Sequence, residues 1–205
     1  MWYFVGTGHY LSDEDEQDDS YQYFVGINDP YFETGSGSVD LDDLYDVTDI
    51  EVIETDSGTI VTGTAGNDTT FSAFVNELKQ YDGWYIKFTG GERVLSTPLL
   101  LGEVVFFTTF EPNDDICSFG GVGRLYGFYY LTGSAHPSLN IFGKKLDGTF
   151  NTTILLGEGV PTSPSAHVGI SDAATIATQL STGEISQEKA RIAPIKSGPV
   201  FWKGK

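Results

Sequence analysis

No lysine or arginine occurs before Lys79: the first 78 residues hold 18 carboxylates and no side-chain cation, whereas residues 79–205 hold 11 of each and balance. The whole formal charge of −18 therefore sits in the N-terminal part. A nucleic-acid backbone is held by Lys and Arg that release counterions, so this acidic third excludes electrostatically driven binding to it, and anionic membrane surfaces are disfavoured on the same grounds. The single cysteine, Cys117, has no partner for an internal disulfide. The longest apolar runs, such as 98–101 and 104–107, are strand-length and far short of the roughly 18 residues that span a bilayer, so no transmembrane helix and no membrane insertion are expected. Met1-Trp2-Tyr3-Phe4-Val5-Gly6 shows neither a basic n-region nor a small-residue cleavage site, so no signal peptide is visible. The chain is then either cytoplasmic or part of a longer secreted protein.

Helix signals are also few. Asp40 to Val47, and better Phe71 to Tyr81 with Phe71, Phe74, Val75 and Leu78 at i, i+3, i+4 and i+7, are the two helical stretches the pattern predicts. The lack of long helices between strands argues against parallel βαβ units, and an antiparallel all-β architecture is favoured.

What is abundant fits that architecture. There are 25 glycines, and Tyr and Phe number 11 and 14; Val, Ile and Thr cluster in short runs bounded by Gly, Asn, Asp and Pro. A unit recurs in which an apolar strand and an aromatic strand lead to a Thr-Gly turn, at Thr34-Gly35, Thr132-Gly133 and Thr182-Gly183. The later two turns are 50 positions apart and the earlier two 98, about two such periods. About 50 residues is the size of one propeller blade, so the expected fold is all-β, with antiparallel sheets in β-propeller-like blades over about 1–90, 91–150 and 151–205 of a single domain. At about four blades' worth of chain, an incomplete ring from a longer protein is expected, with an N-terminus that starts abruptly inside a strand and a C-terminus that ends naturally. A β-sandwich with chance Thr-Gly turns is the competing architecture.

Several segments resemble the C-terminal propeller of the type IV pilus tip-associated adhesins, the PilY-type proteins of bacteria. They are Phe4-Val5-Gly6-Thr7-Gly8-His9-Tyr10-Leu11-Ser12-Asp13 with Gln22 to Ile27 behind it, Asp82-Gly83-Trp84-Tyr85-Ile86 leading to Gly91-Glu92-Arg93-Val94-Leu95, and Pro98 to Phe110 with Asp114 to Gly121. Gly123 to Tyr126, Leu131-Thr132-Gly133, His167-Val168-Gly169, Ser181-Thr182-Gly183 and Ser197-Gly198 before Trp202 follow in the family's order. The resemblance implies a non-enzymatic module at the cell surface or pilus tip, outside the cell, that works in pilus extension, attachment and twitching motility. Its implied partners are pilin or minor pilins, the missing part of the same propeller, or a host or surface receptor. The family's calcium loop, alternating Asp and Asn with Gly, has no counterpart in this chain. Cys117 matches a family position, and in an oxidising compartment its partner would lie outside this chain.

The residues themselves offer few sites. Calcium needs six to eight oxygens, and in the loop Asp13-Glu14-Asp15-Glu16-Gln17-Asp18-Asp19-Ser20 the carboxylates of Asp13, Asp15 and Asp18 could begin to supply them. The loop lacks the turn glycine of an EF-hand, so a solvated acidic loop is the simpler reading. Asp40, Asp42, Asp43 and Asp46 form a second cluster, best read as a solvated helix start. His9 and His167 occupy strand-end positions of the repeat and His136 precedes Pro137, so none is expected to serve as a catalytic base; three scattered histidines and one cysteine also lack zinc-ligand spacing. Asn67-Asp68-Thr69 and Asn151-Thr152-Thr153 match the glycosylation sequon but read as turns. The aromatic run Tyr126, Phe128, Tyr129 and Tyr130 is expected to be buried on both faces, with a sugar-binding platform as the alternative. The rival function is a quinoprotein-type propeller dehydrogenase binding pyrroloquinoline quinone with calcium; the lone cysteine and the lack of early cations count against it.

Overall fold

The computed structural model describes residues 1–12, 15, 18–63, 68–113, 120–169 and 173–195. The fold is all-β, with several antiparallel sheets and no closed barrel. The first sheet opens with β1 (Trp2–Gly6) and β2 (Gln22–Asn28), paired antiparallel. The chain then makes an excursion. A 3-10 turn (Leu41–Asp43) leads into β3 (Tyr45–Asp46), and β4 (Glu51–Thr55), β5 (Gly58–Thr62) and β6 (Thr69–Thr70) form a small sheet of their own. The helix α1 (Phe71–Leu78) follows, and β7 (Gly83–Phe88) returns to the first sheet, giving the order β1-β2-β7-β3 with β3 parallel to β7.

The next unit is a meander. β8 (Leu99–Leu101), β9 (Val104–Pro112), β10 (Gly121–Tyr129) and β11 (Thr153–Glu158) pair antiparallel in sequence order. A third sheet follows in the same way from β12 (Ser165–Val168), β13 (Ala173–Gln179) and β14 (Ile185–Arg191). Because β11 belongs to the second sheet, that unit extends to Glu158, beyond the 150 read from the sequence.

The three sheets stack face to face in chain order, and β9 shows why. Side chains alternate across a strand, so a strand buried on both faces must be apolar at every position. Val104 and Phe106 pack with Ile176, Ala174 and Ala190 of the third sheet, whereas Val105 and Phe107 pack with Phe24, Trp84 and Phe88 of the first. β10 alternates likewise, Leu125 to one side and Tyr126 and Phe128 to the other, so the aromatic run is core at Tyr126 and Phe128, whereas Tyr129 and Tyr130, at the strand end and in the turn beyond it, are only half-buried. The small sheet and α1 cover the far end of the first core with Val52, Val61, Phe74 and Leu78. Segment 143–151 docks on that small sheet, with Phe150 N donating to Val52 O at 2.9 Å and Glu54 N to Gly148 O at 3.0 Å.

The Thr-Gly turns are turns in all three units, with positive φ at Gly35 (69°), Gly133 (62°) and Gly183 (91°), where glycine alone adopts the conformation without strain. Gly133 does more. A Cβ there would lie 2.4 Å from the Trp84 ring, whose Nε1 donates to Tyr130 O at 2.9 Å, so the second unit's turn closes directly on the first sheet's tryptophan.

One of the two predicted helices forms. α1 is capped by Thr70, whose hydroxyl accepts from Ala73 N, and it buries Phe74 and Leu78. The stretch Asp40 to Val47 contains only the three-residue turn. There Tyr45 and Val47 are buried on either side of exposed Asp46, and this period of two places the segment on the sheet edge beside Trp84 rather than in a helix.

Candidate functional site

The acidic loop between β1 and β2 carries the calcium candidates, of which Asp13 lies outside the described residues. Asp15 is buried. Its Oδ2 accepts from Leu11 N at 2.7 Å, Ser12 N at 2.9 Å and Ser12 Oγ at 3.3 Å, and its Oδ1 lies 2.8 Å from His9 Nε2. The Leu11 amide, helped by Ser12 and His9 and opposed by desolvation, holds this carboxyl below its usual value of 3.8. Asp18 is lowered too, chiefly by the Ser20 amide, which donates to its Oδ1 at 2.9 Å.

The loop's carbonyl oxygens converge on a cation of the protein itself. Arg93 is fully buried, and its guanidinium donates from Nε to Gly91 O at 2.7 Å, from Nη1 to His9 O at 2.9 Å and Asp15 O at 2.7 Å, and from Nη2 to Asp18 O at 2.8 Å. Among the described residues it forms no ion pair. A planar fork with five donors suits such divergent carbonyls, which a point-charge ammonium does not. Arg93 is itself tied down by two 2.9 Å backbone bonds with Phe110, and Val94 N donates to Thr7 O at 3.1 Å. Gly6 admits this contact because a Cβ there would lie 2.4 Å from that of Val94.

Beside the clamp lies a second polar cluster. Glu92 Oε1 accepts from Thr109 Oγ1 at 2.5 Å and from the Tyr126 hydroxyl at 2.9 Å, while Arg124 Nη1 stands 3.6 Å from Glu92 Oε2 and 2.6 Å from Glu111 Oε2. Burial first, and the Glu92 charge second, raise the Tyr126 phenol far above its usual value of 10.0, so it stays a donor at all physiological pH. The cluster ties Glu92, in the connection between β7 and β8, to strands β9 and β10.

The histidines do not meet. His9 pairs with Asp15, and His167 lies exposed on β12. His136 is held between the rings of Tyr129 (4.5 Å) and Phe71 (5.1 Å), its Nδ1 accepting from Ser138 N and Leu139 N, and burial lowers its pKa. Asn151 donates its backbone N–H to Gly143 O in the docked segment; Asn67 and Cys117 lie outside the described residues.

In the second acidic cluster, Asp43 accepts from Asp40 N at 2.9 Å, and Asp46 accepts from Thr48 N, Thr48 Oγ1 and the Tyr85 hydroxyl. Asp42 and Asp46 line an open cleft with Tyr45, Tyr81 and Tyr85. Tyr85 and Arg93 fall within the segments that carry the resemblance, but the sequence assigned no role to them or to Tyr45 and Tyr81; a further signal was that Arg93 is the first arginine of the chain.

No family model, no curated protein and no solved structure matches the chain.

Proposed function

We propose that this chain is a non-enzymatic surface module of the PilY type, acting outside the cell in type IV pilus extension, attachment and twitching motility. Its stacked sheets would serve as a rigid platform for pilin-like partners or a surface receptor. One observation carries the reading: three of the segments that resemble this family, though far apart in sequence, meet in one junction. Gly6-Thr7-Gly8-His9 lies against Gly91-Glu92-Arg93-Val94, and both lie against Phe110 at the end of β9, joined by the Arg93 clamp and the Thr7–Val94 and Arg93–Phe110 backbone bonds. Motif residues that interlock across two sheets are what a shared architecture would retain.

Calcium at Asp13, Asp15 and Asp18 would compete with Arg93, His9 and the loop amides for the oxygens described above. Deletion of the gene in its native host should reduce surface pili, twitching and attachment, with restoration by the wild-type copy. Unchanged piliation, motility and attachment would overturn the proposal.

A further inference from the structure

The cleft on the acidic flank has a chemistry that the stacked-sheet reading does not use. It measures about 440 Å³, within the range of small-ligand sites, and is lined by Tyr45, Tyr81 and Tyr85 together with Asp42, Asp46, Asp49 and Glu77. Two parts of the excursion, the 3-10 turn with β3 and the end of α1, build it together with β7 of the first sheet. The Tyr45 and Tyr81 rings meet at 85° with centroids 5.1 Å apart, forming a corner of two aromatic walls. Tyr45 is buried and fixed, whereas Tyr81 is 40% exposed.

The hydrogen bonds set the sign of the cleft. The Tyr45 hydroxyl donates to Glu77 Oε1 at 3.3 Å, and the Tyr85 hydroxyl to Asp46 Oδ2 at 3.1 Å. Both phenols are pushed up to about 12, by burial first and by those carboxylates next, so they remain neutral donors and all the charge is carboxylate. Among the described residues none of the four carboxylates has an ion-pair partner, and no Lys or Arg lines the cleft. The nearest lysine in sequence, Lys79, lines the neighbouring apolar hollow with Trp2, Val75 and Leu78 instead. Aromatic walls attract a cation through the ring quadrupole, and uncompensated carboxylates attract it by charge. A hard inorganic cation demands a shell of oxygens and gives up its water reluctantly, whereas an ammonium or guanidinium uses both walls and carboxylates.

We infer that this cleft binds an organic cation, a protonated amine or guanidinium of the size of a lysine or arginine side-chain end. The head group sits against the exposed Tyr81 ring in the corner that it makes with Tyr45 and is neutralised by Asp46 and Glu77, and its stem leaves through the open mouth. The cation is presented by a partner polypeptide or comes as a free amine.

The test is a titration of isotopically labelled full chain, following the backbone amides of Tyr45, Asp46, Tyr81 and Tyr85. The probes are N-acetyl-arginine amide, N-acetyl-lysine methylamide, a capped Arg-containing tripeptide, choline and spermidine, with KCl and CaCl2 at matched ionic strength as comparators. Saturable shifts confined to the cleft are expected for the organic cations. Tyr81→Ala should weaken binding about threefold to fivefold, the value of one partly exposed cation–π contact. The pair Asp46→Asn and Glu77→Gln should weaken it about tenfold or more, as loss of two charge-assisted contacts. Unchanged amides in β9 and β10 establish that each variant is folded. Tighter binding of the capped peptides marks a partner polypeptide, and tighter binding of choline or spermidine a free amine. Identical shifts with KCl, saturation by CaCl2 at lower concentration than any amine, or wild-type affinity in Tyr81→Ala would overturn the inference. These outcomes are independent of whether the module acts in pili.

Discussion

The two interfaces on either side of the central sheet are built differently although they share the same two strands. Toward the first sheet the core is aromatic: Phe107 stacks on Phe24 at 3.8 Å and 13° and on Tyr126 at 5.0 Å and 3°, with Trp84, Phe88 and Phe128 around them. Toward the third sheet it is aliphatic and small, with Val104, Leu125, Leu156, Ala174, Ile176, Leu180 and Ala190 around the single buried ring of Phe106. The aromatic side also carries the polar devices, the Arg93 clamp and the Glu92–Tyr126 bond. Large rings leave hydroxyls and gaps at their edges that need partners, whereas methyl groups fill space without them. The acidic loop, the excursion and the cleft all belong to the aromatic side, so the charged groups are concentrated beside the aromatic core.

Neighbouring residues on β9 offer the most direct way to break this contrast. Phe107→Ala and Phe106→Ala both open cavities in fully buried sites, and each should cost about 3–5 kcal/mol in urea denaturation. A Phe107→Leu chain should lose about 1 kcal/mol more than Phe106→Leu, because only the former gives up two stacked ring partners. Equal losses would show that the aromatic interface is held by area alone.

Arg93→Met tests the clamp. It leaves the carbonyls of His9, Asp15, Asp18 and Gly91 without their common donor, and a loss of about 3 kcal/mol is expected, with faster amide exchange at Leu11 and Ser12. Arg93→Lys should recover only part of this, since an ammonium cannot reach the four oxygens in one plane. Tyr126→Phe is smaller, about 1–2 kcal/mol, for the lost donor to the charged Glu92.

The smallest effect sharpens the comparison by pH. His136 has its pKa lowered from 6.5 by burial, with the Glu103 charge opposing, so the folded chain binds fewer protons than the unfolded one as pH falls through that value. Stability conferred by the neutral ring is full above pH 6.5 and declines below it. The melting temperature of the wild type should therefore fall more between pH 7.5 and 5.5 than that of His136→Phe, and parallel curves would exclude the ring as the cause. The depressed carboxyls of Asp15 and Asp18 act lower, losing their contribution only as pH falls below about 3.8.

Much of the fold was legible. The apolar and aromatic strands, the Thr-Gly turns and the α1 periodicity are local patterns, and glycine at positive φ is a local necessity. Double burial was read for the run Tyr126 to Tyr130 and holds at Tyr126 and Phe128; on β9 the same signal, Val104 to Phe110 with no polar alternation beyond two threonines, was read only as an apolar strand. Asp40 to Val47 was misread because clustered carboxylates resemble a helix start, whereas the burial of Tyr45 and Val47, set by Trp84 and α1, makes the segment a sheet edge. The candidate sites were less legible. Asp15 stood out by its charge, but its partners His9, Leu11 and Ser12 give it an inward structural role, and its carbonyl shares a guanidinium encoded 78 positions away.

Sequence alone determined the sign and place of the charge, the strand-and-turn grammar and the residues able to form two cores, because composition and period act within a few residues. Only the tertiary structure decided which carboxylate turns inward to His9 and the loop amides, which main-chain carbonyls share Arg93, and which carboxylates face an aromatic corner with no ion-pair partner among the described residues. Those outcomes depend on contacts between Tyr45, Glu77, Tyr81 and Tyr85 and between His9 and Arg93. Hydrogen bonds and desolvation act over a few ångströms in space and carry no trace of separation along the chain.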